Sequence, residues 1–280
     1  MRRAINHIFY GEPVTEGGGV KLHRAFGYFE ASLFDPFLML DDFRSDNPED
    51  YRKGFPWHPH RGIETITYIL KGDVEHADSL GNKDMTRAGS VQWMTAGSGI
   101  IHQEMPKGDR NGSMYGFQLW ANLSAADKMV DPKYREIHAD EIPVIRSRDG
   151  VSIKIIAGEI DGQKGPARGI GIDPQYLDIT VPPGLEFVHS VKKGYTAFVY
   201  ITGGQGSVNG SPVENRSLVL FDDGDELAVA ADSSPLTFLL LTGKPHNEPI
   251  YWRGPIVMNT AEELDKAFFE YENGTFIKNK

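Results

Sequence analysis

Glycine or proline interrupts this chain at intervals of roughly eight to twelve residues, and the runs between them are short and alternate apolar with polar side chains. With 31 glycines and 17 prolines among 280 residues, few stretches can complete the three or four turns of a stable helix, whereas a strand needs only about five or six residues. An all-β sandwich or barrel is the expected class. In Glu64–Leu70, β-branched and aromatic residues dominate, with Glu64, Ile66, Tyr68 and Leu70 on one face and Thr65, Thr67 and Ile69 on the other. Leu177–Val181, Thr196–Ile201, Leu218–Phe221 and Leu236–Leu241 read as further strands, and Ser79–Asn82 as a turn. Two helices stand out. Ser124 reads as an N-cap with Asp127 at its third position, and Thr260 with Glu263 makes a fuller capping box, followed by Leu264, Phe268 and Tyr271 as an apolar face before Gly274.

Composition removes several function classes. Lys and Arg number 29 against 39 Asp and Glu, a formal charge of -10, so the long-range field repels phosphate backbones and argues against direct nucleic-acid binding. Cysteine is absent, which excludes disulfides, thiolate metal sites and a cysteine nucleophile; any metal must be held by His, Asp or Glu. The N-terminal residues do not read as a secretory signal, and no apolar run approaches the roughly 18 residues of a membrane span. A cytoplasmic protein is expected, or a nuclear one in a eukaryote.

A weak internal repeat sharpens the fold. Thr67–Gly72 (TYILKG) can be laid on Val199–Gly204 (VYITGG), and Thr95–Gly97 on Asp222–Gly224, each strand running into a glycine turn. Two copies of one barrel are therefore expected, 1–138 and 139–280, joined through the charged, proline-containing stretch from Asp127 to Asp149.

The candidate chemistry lies in the first copy. Of nine histidines, only His58 and His60 stand at i, i+2. On an extended backbone both imidazoles point to the same side about 6–7 Å apart at Cα, and Pro59 suits an edge strand. Alone, such a pair is more often a hydrogen-bonded or surface couple. His102 and Glu104 repeat the spacing with a carboxylate. Two such pairs on neighbouring strands make one three-histidine, one-glutamate site, suited to a first-row divalent ion with open coordination positions. Glu104 could also act as a base toward a substrate proton.

These residues carry a resemblance. Gly54–Pro106, with GFPWHPHRGIETITYIL and GSVQWMTAGSGIIHQEMP, resembles the pirin family of the cupin superfamily. The likeness extends through Lys128-Met-Val and Pro132–Tyr134 and is looser in the second half. It implies an all-β protein of two tandem cupin (jelly-roll) barrels with few short helices, including one at the C-terminus. It also implies a monomer with one divalent transition metal in the first barrel: iron(II) first, with manganese, nickel, copper or cobalt as alternatives. Carried over residue by residue, the ligands are His58, His60, His102 and Glu104. Glu64, where other cupins place a ligand, lies no nearer than behind them.

Pirin-like bacterial proteins include quercetin 2,3-dioxygenases, which cleave a flavonol ring and release carbon monoxide. The resemblance thus implies a small aromatic or enolic substrate with O2, and Glu104 taking the substrate's hydroxyl proton. The alternative it carries is a non-enzymatic, metal-dependent regulator that binds a protein partner. In the repeat alignment His58 and His60 fall on Ser190 and Lys192, and His102 and Glu104 on Val229 and Ala231. The second barrel is expected to lack a metal, with His189 structural or at the surface. His76 and Asp78 read as solvated, Phe55, Trp57, Met94 and Met105 as core beside the ligand segments, and Gly203–Gly206 as a β-turn.

Overall fold

The computed structural model describes residues 1–278. Contacts divide the chain into two units. The N-terminal unit takes Glu12–Leu33, Phe37–Ala139 and the chain from His246 onward; the C-terminal unit takes Met1–Gly11, Phe34–Pro36 and Asp140–Pro245. A single cut near 138 therefore describes only the middle of the chain. The first strand, Ile5–Phe9, pairs with Leu218–Phe221 of the C-terminal unit, and the C-terminal helix belongs to the N-terminal one.

In the N-terminal unit, a seven-stranded antiparallel sheet runs in the order Lys133–Ile137, Val91–Thr95, Ile63–Lys71, Tyr115–Asn122, Phe37–Asp42, Val20–Phe26, Glu12–Glu16. A four-stranded sheet runs Phe55–His60, Ile100–Lys107, Asp73–Asp78, Lys83–Thr86. The C-terminal unit repeats this plan. Its seven strands run Ile5–Phe9, Leu218–Phe221, Thr196–Gly203, Leu236–Gly243, Gln175–Val181, Ser152–Ala157, Val144–Arg146, and its four run Glu186–Ser190, Glu226–Ala231, Gln205–Val208, Ser211–Glu214. The two segments matched by sequence, Thr67–Gly72 and Val199–Gly204, thus begin in strands that hold the third place in their sheets. Gly203–Gly206 is the turn and strand start that its glycines suggest.

The register corrects one part of the repeat alignment. In the N-terminal unit His58 faces His102 and His60 faces Ile100; in the C-terminal unit Phe187 faces Val229 and His189 faces Leu227. Phe187 and His189, not Ser190 and Lys192, therefore take the places of the histidine pair. The connection after the strand Glu186–Ser190 is longer than the two-residue link Arg61–Gly62, which displaces the alignment. His189 Nε2 meets Gln175 Oε1 at 2.9 Å.

Two helix readings also change. Ser124–Val130 is a hydrogen-bonded turn rather than a helix, with Lys128 N donating to Ser124 O at 2.9 Å; Pro132 follows too closely for a helix to continue. Ala261–Glu272 is a helix with the capping box formed, but its buried stripe is Leu264, Ala267 and Glu270, whereas Tyr271 is exposed. Among the described residues no helix is long and apolar enough to cross a membrane.

The interiors differ in chemistry. In the C-terminal unit both sheets contribute to one apolar core, including Leu177, Ile179, Phe187, Leu227, Val229 and Phe238. In the N-terminal unit, apolar clusters around Leu38, Ile63, Met94 and Ile100 share the interior with buried His60, Thr67, His76, Gln92, His102 and Glu104. A buried polar group is costly unless it is bonded, so this second interior has to be accounted for group by group. Phe238, fully buried in the apolar core, gives a test of that core: Phe238→Ala should lower the urea-unfolding stability of the C-terminal unit by about 3–5 kcal/mol.

Candidate metal centre

Strand alternation brings the histidines together. Phe55–His60 is an edge strand, so Pro56 and Pro59 cost no ladder bond in the sheet interior. Its antiparallel pairing with Ile100–Lys107 sets His58 directly across from His102. The three Nε2 atoms converge: His58 to His60 is 3.0 Å and His58 to His102 is 3.0 Å. Among the described residues, one ligand atom from each of His58, His60 and His102 lies within 4.8 Å of the others. His60 and His102 are buried, and His58 is half-buried.

The remaining ring nitrogens decide what this convergence means. His58 Nδ1 meets Pro56 O at 2.8 Å and His60 Nδ1 meets Pro255 O at 3.0 Å. A carbonyl only accepts, so both Nδ1 atoms carry the proton, and in the neutral rings both Nε2 atoms present lone pairs. Burial, and then the neighbouring imidazoles, hold His60 and His102 well below the ordinary histidine range. In that tautomer the two Nε2 lone pairs face one another at hydrogen-bond distance, an arrangement that fits a cation accepting from both. At a metal–nitrogen bond of about 2.1 Å, two ligands at a right angle stand about 3.0 Å apart, so the residues present fit a divalent ion. His102 Nδ1 is buried without a hydrogen-bond partner.

Glu104 is buried on the same strand but is not one of the three converging groups. Its Oε1 accepts from Thr67 Oγ1 at 2.9 Å and its Oε2 from Gln118 Nε2 at 2.8 Å. Glu64 accepts from Thr95 Oγ1 at 2.8 Å and also stands outside the cluster; Gly62, at φ +78°, breaks the face between His60 and Glu64. His76 and Asp78, read as solvated, are instead buried. They lie on the strand beside Ile100–Lys107, His76 across from Glu104 and Asp78 across from His102. His76 Nε2 meets Asp78 Oδ2 at 3.0 Å, Gln92 Nε2 donates to His76 Nδ1 at 2.9 Å, and the ring stacks on Tyr134. In sequence, His76-Ala77-Asp78 carries the same i, i+2 spacing as the two pairs on the neighbouring strands.

His58 opens into a slot of about 590 Å³, within the size range of small-molecule sites. Tyr28, Met39, Phe55, Trp120 and Trp252 form its apolar walls, and Gln118 links them to Glu104. Trp120 lies edge-on to His60 with centroids 5.0 Å apart, and Trp252 is 5.8 Å from Trp120 and 5.4 Å from Tyr28. Arg24 also lines the slot, its guanidinium bonded to both oxygens of Asp41 at 2.8 Å and to Glu16 at 3.0 Å. Of the apolar side chains flanking the ligand segments, Phe55 lines this slot, Met94 is core, and Trp57 is exposed.

The low histidine values carry a pH consequence. In the folded, metal-free chain His60 and His102 stay neutral below pH about 6.5, while the unfolded chain takes up protons there. The stability tied to these imidazoles is present above that pH and is lost as pH falls, by about 1.4 kcal/mol per pH unit for each. The urea midpoint of metal-free protein should therefore drop between pH 7 and 5.5, with a shallower slope in His102→Gln; equal slopes would refute the assignment.

Comparison with known proteins gives the family. The pirin profile matches residues 19–121, and that of the pirin C-terminal cupin domain matches residues 176–277. A pirin-like protein of Caulobacter vibrioides is 43% identical over 275 residues, covering 98% of this chain and 99% of its own. A Pseudomonas aeruginosa protein named provisionally as a quercetin 2,3-dioxygenase is 42% identical over 282 residues, covering 97% of each. The crystal structure of a quercetin 2,3-dioxygenase from Acinetobacter baumannii superposes with a TM-score of 0.91 at 32% identity, covering 99% of both chains. With its two cupin domains, this chain belongs to the pirin family.

Proposed function

We propose that this chain is a metal-dependent dioxygenase that opens the ring of a planar enol, a flavonol of the quercetin type being the first candidate. The observation that carries the reading is the pair of facing imidazole lone pairs at the foot of an aromatic-walled slot. A divalent transition ion at His58, His60 and His102, iron(II) before manganese, nickel, copper or cobalt, supplies a Lewis-acidic and redox-capable centre. Glu104 is the fourth ligand in this reading.

The chain's own residues do the rest. Trp120, Trp252 and Tyr28 form flat apolar surfaces that stack a planar ring system and keep water from it. Gln118, which lines the slot, donates to Glu104 Oε2, and that oxygen takes the enol proton as the substrate seats. Thr67 holds the other carboxylate oxygen and so fixes the carboxylate plane. The relatives named for quercetin 2,3-dioxygenase activity support this substrate class.

The test is carbon monoxide release from quercetin in air by metal-reconstituted protein, beside His58→Ala and Glu104→Gln loaded in the same way. Turnover should fall at least about 100-fold in both variants, the lower end of what a general base contributes. Fully loaded protein that releases no carbon monoxide would refute flavonol cleavage and leave the regulator reading to be tested by partner capture.

A further inference from the structure

Arg61 follows His60 directly and is 2% exposed. A buried guanidinium is costly unless its donors are met, and here they are met in three directions. Nε donates to Ser98 O at 2.7 Å, Nη1 to Glu270 Oε2 at 2.8 Å and Nη2 to Phe276 O at 2.9 Å. The guanidinium also lies over the Phe276 ring, 4.2 Å from its centroid. Ser98 belongs to the loop that leads into the strand of His102; Glu270 and Phe276 belong to the C-terminal helix and the segment after it. One side chain thus ties both histidine-bearing segments to the end of the chain.

The backbone beside it is tied to the same segment. Val257 N donates to Arg61 O at 3.1 Å, and Lys128 Nζ donates to Gly62 O at 2.8 Å and to Val257 O at 2.9 Å. Gly62 sits so close that a Cβ there would meet Val257 O at 2.0 Å. Two residues before Val257 is Pro255, whose carbonyl accepts from His60 Nδ1.

We propose that Arg61 is a positioning residue for the histidine site, clamping the 255–276 segment so that the Pro255 carbonyl fixes His60 with its Nε2 lone pair directed at His58. The inference rests on the metal-site reading above. A carbonyl that fixes the tautomer and orientation of a ligand histidine typically accounts for 10–100-fold in metal affinity.

The experiment is Co(II) titration of the metal-free full chain, followed by its visible absorption, for the parent, Arg61→Lys and Glu270→Gln. Circular dichroism checks that each is folded. The Kd for Co(II) should rise 10–100-fold in Arg61→Lys and by a smaller factor in Glu270→Gln, with altered visible bands in both, since a misplaced imidazole changes the ion's surroundings as well as its occupancy. Bands and Kd within twofold of the parent in the folded variants would overturn the proposal. If Arg61→Lys does not fold, Glu270→Gln, which keeps the size of a side chain less enclosed than that of Arg61, decides it alone. A parent that binds no Co(II) would overturn the metal site itself, a result distinct from a parent that binds while the variants match it.

Discussion

Imidazole nitrogens stripped of their protons repel one another when they face at 3.0 Å, and the N-terminal unit is built so that they must. Each Nδ1 proton of His58 and His60 is committed to a carbonyl, burial keeps His60 and His102 neutral, and strand pairing sets His58 opposite His102. Hydrophobic packing cannot relieve that repulsion. The neighbouring polar side chains are held in place: Glu104 by Thr67 and Gln118, and His76 by Asp78 and Gln92. The C-terminal unit shows the same sheets without the constraint. Phe187 replaces the first histidine of the pair and Val229 faces it, and an apolar core closes over the equivalent positions.

What the sequence made legible is what a period of two can carry. The strands from Ile63 to Lys71 and from Leu236 to Gly243 follow from β-branched runs and glycine punctuation, and the two i, i+2 pairs could be assigned to one face because side chains alternate on an extended strand. His76 and Asp78 obey the same period; an aspartate beside a turn has the local pattern of a solvated group, and only the neighbouring strand shows that Asp78 is enclosed, accepting from Leu80, Asn82 and His76.

Two features lay beyond local pattern. The position of His189 depends on the length of one connection, which a repeat alignment without gaps cannot see. The partnership of Arg61 with Glu270 and of His60 with Pro255 joins residues 209 and 195 positions apart, and nothing in either segment signals the other. Glu270 even reads as a solvent-facing helix residue, and the apolar face drawn from Leu264, Phe268 and Tyr271 misses it, because its burial is set by the cation it meets rather than by its own hydropathy.

The exchange of chain ends between the units bears on how the protein is made. A ribosome releases the histidine pair early, yet the carbonyl that orients His60 and the aromatic Trp252 of the slot wall emerge only after the whole C-terminal unit has been synthesised. The N-terminal unit cannot finish folding while the chain is still growing through that second unit, although N-terminal domains ordinarily fold first during synthesis. On this order the His60 Nδ1 contact with the Pro255 carbonyl and the Trp252 side of the slot can form only once residues 140–245 have been made.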